Sequence, residues 1–224
     1  TLTKALAQTV GRVVSFEIDK SLAPIIEEKL SGFSNVSVIY QDILKQNITE
    51  LDNMLGRYYI VANLPYYIIT PIIMHFLENS RNLISMTLMV QKEVAERLCA
   101  KAGSADYGSV TVAVDSFGGA KLLKNVSREL FYPRPNVDSA IIKIDINKNL
   151  FDINNRELFN KLYRAAFSMR RKTLANNIAA AFNISRESAA KAITECGFIE
   201  DIRGEKLSAA DYAKLSNHLF SELK

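Results

Sequence analysis

Apolar and polar positions alternate in blocks along the first two thirds of the chain. Residues 13–19 (VVSFEID) form a short apolar run that ends in acids, and they predict a buried strand. Residues 22–30 follow with helical spacing, Glu27, Glu28 and Lys29 taking polar positions. Residues 36–40 predict a second strand ending at Gln41-Asp42, and residues 58–62 a third ending at Asn63. Residues 86–90 predict a fourth, after which the charged run 91–98 turns helical. These strands are continuous apolar runs. That pattern belongs to a parallel sheet covered by helices on both faces, an α/β architecture.

The pattern then changes. Residues 121–131 and 140–146 predict two strands flanking the proline-containing stretch Phe131-Tyr132-Pro133-Arg134-Pro135, an antiparallel pair suited to a sheet edge. From Asn154 onward the chain reads as helical, over 156–167, 171–182, 186–196 and 208–223. Ser185 and Ser208 read as N-caps, the second with Asp211 at the third helical position. Gly197 and Gly204 read as helix stops or turns. A polar stretch near 147–154 marks a boundary between an α/β domain (1–149) and a small helical domain (150–224).

Composition adds little to this architecture but narrows the setting. A chain of 224 residues, 48% hydrophobic and 23% charged, supports a core and argues against disorder. Cys99 and Cys196 lie too far apart for a zinc motif or a disulfide framework, which fits a reducing cytosol. The longest apolar run, residues 65–76, is too short to span a bilayer, and residues 1–9 lack the apolar stretch of a signal peptide. The expectation is a cytoplasmic protein without membrane contact. Residues 1–146 balance 15 Lys+Arg with 15 Asp+Glu, whereas residues 147–224 hold 13 against 9. The net +4 therefore sits in the last third, which suits an anionic partner such as RNA and a solvated helical surface alike.

The candidate chemistry lies at strand ends. Glu17, Asp42 and Asn63 follow three successive predicted strands, and ligands of open α/β sheets bind outside those ends. One acid can accept from both hydroxyls of a ribose, and the next can accept from an adenine amino group. Taken singly, an acid in such a place is most often a cap or a solvated turn residue. The sharpest motif is Asn63-Leu64-Pro65-Tyr66-Tyr67. Adenine N6 is a poor nucleophile because its lone pair is delocalised into the ring. Acceptors aimed at its two N–H bonds favour the tetrahedral geometry that methyl transfer requires. The Asn63 amide oxygen and the Leu64 carbonyl suit that task, Pro65 stiffens the backbone, and Tyr66 offers a ring to stack on a base. This chemistry needs no metal. His75 and His218 are single and read as structural or surface residues.

The motifs occur in one order: FEID (16–19), QDIL (41–44), NLPYYI (63–68), QKEVAERL (91–98), Tyr107-Gly108, FYPRPNVDSA (131–140) and FSMRRKTLANNI (167–178). In this the chain resembles the ribosomal RNA adenine dimethyltransferases of the KsgA/RsmA/Dim type. The resemblance implies a Rossmann-like sheet that uses S-adenosyl-L-methionine, followed by a helical RNA-recognition domain. It implies that Glu17, with Ile18 beside it, holds the cofactor ribose, and that Asp42, with Ile43, holds the cofactor adenine. It assigns Asn63, Leu64, Pro65 and Tyr66 to the target adenine, Asn63 to the cofactor as well, and Phe131 to the other face of the flipped base. Arg170, Arg171 and Lys172 are expected to open a helix and contact RNA phosphates, with Lys92 and Arg97 as further RNA contacts. The implied partner is the small ribosomal subunit and its rRNA, bound by a monomer. The implied reaction is dimethylation of two adjacent adenosines near the 3′ end of that RNA. In the family a GxGxG-type loop precedes the stretch matching residues 2–6, so the resemblance implies that the first strand and this loop are missing here. Two other readings remain open: a ribosome-assembly factor without catalysis, and a large-subunit rRNA methyltransferase conferring antibiotic resistance.

Overall fold

The computed structural model describes residues 2–222, apart from the side chains of Tyr66 and Glu222. The chain divides into two compact units. One runs up to Tyr58 and includes Tyr67–Leu83; the other comprises Tyr59–Tyr66 and the chain from Ile84 onward.

The first unit contains α1 (Leu2–Ala7), β1 (Val13–Phe16), α2 (Ala23–Leu30), β2 (Val36–Ile39), α3 (Ile48–Leu55) and α4 (Ile69–Asn79). Strands β1 and β2 pair in parallel from Val13↔Val36 to Phe16↔Ile39, and α2 supplies the crossover that parallel neighbours require. The first predicted strand is shorter than its apolar run. Glu17 Oε1 accepts from the Asp19 amide at 2.8 Å and Asp19 Oδ1 from the Ser21 amide at 2.9 Å, so the acids turn the chain into a 3₁₀ turn. Helix α3 is capped by Asn47, which accepts from Thr49 N and Glu50 N, and stops at Gly56, where φ is +67°. Helix α4 takes up most of the long apolar run. It buries Ile69, Ile72, Ile73, Phe76 and Leu77, an i, i+3, i+4, i+7, i+8 set that forms one face.

The second unit carries most of β3 (Tyr58–Asn63), then β4 (Leu83–Gln91), α5 (Lys92–Leu98), α6 (Ser109–Asp115), β5 (Ala120–Val126) and β6 (Ser139–Asp145). Their order is β3-β4-β6-β5. Strand β6 runs antiparallel to β4 and to β5, so the expected antiparallel pair exists, with β5 as the outer strand. β5 ends at Val126, short of Phe131, because Ser127 caps a 3₁₀ turn at Arg128–Leu130. Met86, Leu88, Val90, Ala140, Ile142 and Ile144 are fully buried at the centre of this sheet.

Helices α7 (Arg156–Ala166), α8 (Leu174–Phe182), α9 (Arg186–Glu195) and α10 (Ala209–Glu222) follow. Phe159, Leu162, Leu174, Ile178, Ile193, Tyr212 and Leu215 form their core. α7 also packs on α6, and Arg156 Nη1 donates to Ser116 Oγ at 3.1 Å. Both predicted caps form: Ser185 Oγ accepts from Ser188 N, and Ser208 and Asp211 bond reciprocally. Leu223, the predicted end of the last helix, lies outside the described residues. Gly197 does end α9, with φ at +84°. Gly204 opens the 3₁₀ turn Gly204–Lys206, and it is also buried, where a Cβ would sit 2.8 Å from the Ala166 carbonyl oxygen. Its role is close packing.

One predicted helix starts late. The helix expected from Arg171 begins at Leu174, with Thr173 extended at its N-cap. Arg170, Arg171 and Lys172 therefore lie in the turns before α8 and do not open it.

Candidate active site

In the first unit, the parallel register sends Glu17 and Asp42 out of the same end of the β1–β2 pair. Glu17 follows Phe16 directly, and its amide donates to Ile39 O at 3.0 Å. Asp42 lies three residues beyond Ile39 and caps the next 3₁₀ turn, Oδ1 accepting from Leu44 N at 3.0 Å. Both acids are half-buried, Ile43 is half-buried and Ile18 is exposed. Each acid uses one oxygen on its own turn, and the second oxygen has no protein donor among the described residues. The capping role weighed for these acids is thus real, and it orients them. Tyr40, next to Gln41, has a buried hydroxyl without a partner; desolvation, then the Glu27 and Glu17 carboxylates, push its pKa up.

In the second unit, β3 delivers Asn63 at its end. Asn63 is exposed and its side chain makes no hydrogen bond among the described residues. Leu64 is half-buried and Pro65 exposed as the chain leaves the strand for a 3₁₀ turn at Tyr66–Ile68. The Tyr66 side chain lies outside the described residues. Phe131 is half-buried at the end of the Arg128–Leu130 turn, while the adjacent Tyr132 is fully exposed. The loop around it is pinned: Asp138 Oδ1 accepts from Arg128 N at 3.0 Å, and Arg128 Nη1 donates to Asn136 O at 2.9 Å. The Lys92 amide donates to Asp138 O at 3.0 Å, which joins the start of α5 to the same loop.

The candidate RNA contacts are of unequal kinds. Lys92, Arg171 and Lys172 are exposed. Arg97 pairs with Glu93 at 3.3 Å, one helical turn away. Arg170 is committed in part to the fold, since Nη2 donates to Ala105 O at 3.0 Å and to Tyr107 O at 3.5 Å. Sequence reasoning passed over the polar face of α7, where Lys161 and Arg164 stand three residues apart; that spacing was the available signal. The histidines are both bonded, His75 Nε2 to Gln46 O and His218 Nε2 to Glu195 Oε2. Desolvation raises the pKa of both thiols, which makes Cys99 and Cys196 poor nucleophiles. Among the described residues there is no metal-binding cluster, and no helix is long and apolar enough to cross a membrane.

The family model described as ribosomal RNA adenine dimethylase matches residues 1–220. The chain belongs to this family. Among curated relatives, it is 42% identical over 226 residues to the ribosomal RNA small subunit methyltransferase A of Enterococcus faecalis, covering 97% of this chain and 77% of the relative. The same-named protein of Clostridium botulinum is 40% identical, with 100% of this chain and 81% of the relative covered. A dimethyladenosine transferase from Plasmodium falciparum shares the fold at a TM-score of 0.79 and 23% identity, covering 99% of this chain and 86% of that one. The 23S rRNA methyltransferase ErmE shares it at 0.70 and 24%, covering 98% and 86%. The fold is therefore the Rossmann-like methyltransferase sheet with its C-terminal helices. The family's ribosomal RNA adenine dimethylation depends on S-adenosyl-L-methionine, and this chain is an enzyme of that class.

The residues present fit that methyl donor. An adenosine moiety offers hydroxyl and amino donors, and Glu17 and Asp42 present carboxylate oxygens that only accept, both from one end of a parallel pair.

Proposed function

We propose that the chain dimethylates N6 of two adjacent adenosines near the 3′ end of small-subunit rRNA. The observation that carries this is the exposed Asn63 side chain, without a partner among the described residues, at the end of β3 and followed by Leu64-Pro65. The curated relatives bear the name of small-subunit methyltransferases. When bound, the cofactor supplies an electrophilic methyl group on a positively charged sulfur. Glu17 holds its ribose hydroxyls, with Ile18 alongside. Asp42 accepts from its adenine amino group, and Ile43 flanks that base.

Asn63 Oδ1 and the Leu64 carbonyl accept the two N–H bonds of the target N6. This turns the nitrogen lone pair out of conjugation and toward the methyl carbon. With its lone pair so directed, N6 would take the methyl group as that carbon's bond to sulfur is lost, and would then release one proton to solvent. Pro65 has no N–H and keeps the Leu64 carbonyl fixed in direction. Tyr66 and Phe131 enclose the extruded base from its two faces. In the second round N6 has one N–H left, so one of the two acceptors suffices.

Arg171 and Lys172, with Arg170, Lys92 and Arg97, contact RNA phosphates, and the helical portion over 150–224 selects the RNA. The enzyme works as a cytoplasmic monomer on the small subunit. The test is methylation of small subunits lacking dimethyladenosine with labelled donor, followed by mass mapping of RNA fragments. Label on two neighbouring adenosines of the small-subunit RNA is expected; label only on large-subunit RNA, or none, overturns the assignment.

A further inference from the structure

Within the second unit a groove of about 820 Å³ runs between α7 and α8. Arg156, Lys161 and Arg164 line one wall, and Asn177, Ala180 and Ala181 the other. The groove also reaches Ser168, two residues before Arg170, so it opens beside the basic turn that precedes α8.

Two features of this groove call for a ligand. Arg156 is half-buried, its guanidinium 4.7 Å from the Phe117 ring centre and 5.3 Å from that of Phe159. Its one hydrogen-bond partner among the described residues is Ser116, and no carboxylate pairs with it. Burial pulls its pKa down, the mark of a cation short of counter-charge. An anion in the groove relieves that cost. Second, Asn177 is 1% exposed. Its Nδ2 donates to Ala166 O at 2.9 Å and Met169 O at 3.3 Å, which fixes the amide orientation. Its Oδ1 is then a buried acceptor without a partner.

The required occupant carries several negative charges in a row and at least one neutral hydrogen-bond donor. From Arg156 to Arg164 the helix rises about 12 Å, room for more than one phosphate. A sugar–phosphate chain with 2′-hydroxyls meets both demands. Ala180 and Ala181 keep the α8 wall low enough for a backbone to approach.

Resting on the reading that ribosomal RNA is the substrate, we infer that the α7–α8 groove binds a second stretch of its backbone, phosphates lying on Arg156, Lys161 and Arg164 and a ribose hydroxyl on the Asn177 amide oxygen.

The experiment compares the wild-type chain with Lys161→Glu, Arg164→Glu and, as a control for net charge, Lys29→Glu on α2. Binding to unmethylated small subunits and to their deproteinised RNA is measured across a salt series. Each groove variant is expected to weaken binding severalfold on both probes and to lower the log–log salt slope by about one, with Lys29→Glu near wild type. Glu157→Gln, on the same wall, is expected to tighten binding. Slopes and affinities equal to wild type in both groove variants overturn the inference. Loss on intact subunits alone, with naked RNA bound normally, overturns it too and assigns the groove to a ribosomal protein. Methyl transfer by the wild type to the same subunits, scored in parallel, tests the proposed reaction separately.

Discussion

The Tyr58 hydroxyl donates to Asp52 Oδ1 at 2.9 Å, which ties the first residue of β3 to the middle of α3. Ser80 Oγ donates to the same oxygen at 2.7 Å, and the Arg81 amide donates to Oδ2. Asp52 is only 4% exposed, so a carboxylate is held in the interior by three donors at the root of the strand that ends in Asn63.

Replacing that carboxylate strands its donors. Asp52→Ala is expected to cost roughly 2–4 kcal/mol, since buried donors lose a charged acceptor. Burial alone would raise the Asp52 pKa, but the bonds from Arg81, Ser80 and Tyr58 outweigh it and the pKa is lowered. A carboxyl whose folded pKa lies below its unfolded value stabilises above the unfolded pKa, and that stability is lost as pH falls through the folded value. Denaturant titrations from pH 7 downward should show wild type losing its advantage over Asp52→Ala below about pH 4. A constant difference between pH 7 and pH 3 would refute this.

Asp115, at the end of α6, has the opposite sign. Desolvation raises its pKa to about 6. The folded state therefore binds a proton more tightly than the unfolded chain, and stability declines as pH rises from about 4 through 6. Asp115→Asn removes the buried charge and is expected to raise stability at pH 8 by about 1–3 kcal/mol, with little change at pH 4. Thermal melts at the two pH values check it; equal shifts at both would remove the titration from the account.

At the proposed catalytic end, Asn63→Ala should lower kcat for methyl transfer by roughly a hundredfold or more. Because Asn63 is exposed and makes no side-chain bond among the described residues, the melting temperature should not move. Glu17→Ala is expected to act differently, raising KM for the methyl donor while RNA affinity stays put. Separate kinetics in each substrate distinguish the two; an Asn63→Ala enzyme with near-normal kcat would sink the proposed acceptor role.

The two arginines before α8 should also part company. Arg171→Glu is expected to weaken RNA binding and reduce its salt slope by about one without destabilising the fold. Arg170→Glu should do both, because its guanidinium holds the carbonyls of Ala105 and Tyr107. Melting curves alongside binding isotherms make the comparison. Equal stability of the two variants would show that the Arg170 contacts contribute nothing to the fold.

Gly204→Ala forces a methyl against the Ala166 carbonyl oxygen, at 2.8 Å, and the Tyr212 hydroxyl, at 2.9 Å. A loss of about 1–3 kcal/mol is expected, read as an earlier urea midpoint with unchanged slope.

Several of these features rest on residues near one another in the chain, and those were legible without coordinates. The apolar runs marked where β1 to β4 lie, although only β4 is largely buried and β2 and β3 hold no buried residue. The caps at Ser185 and Ser208 depend on side chains within three residues, as does the turn that Glu17 and Asp19 build. The motif order carried the family, which needs no geometry at all. What only the tertiary structure decided involves partners far apart in sequence. The order β3-β4-β6-β5 places β6 inside the sheet, and no local pattern encodes that neighbour. Arg170 bonds a loop more than sixty residues away, so this exposed cation also holds part of the fold. Arg156 is half-buried because Phe117 and Ser116 meet it across the α6–α7 contact, and Asp52 gathers three donors while desolvation dominates at Asp115. The energy of a charge depends on what surrounds it, and its surroundings are assembled from the whole chain.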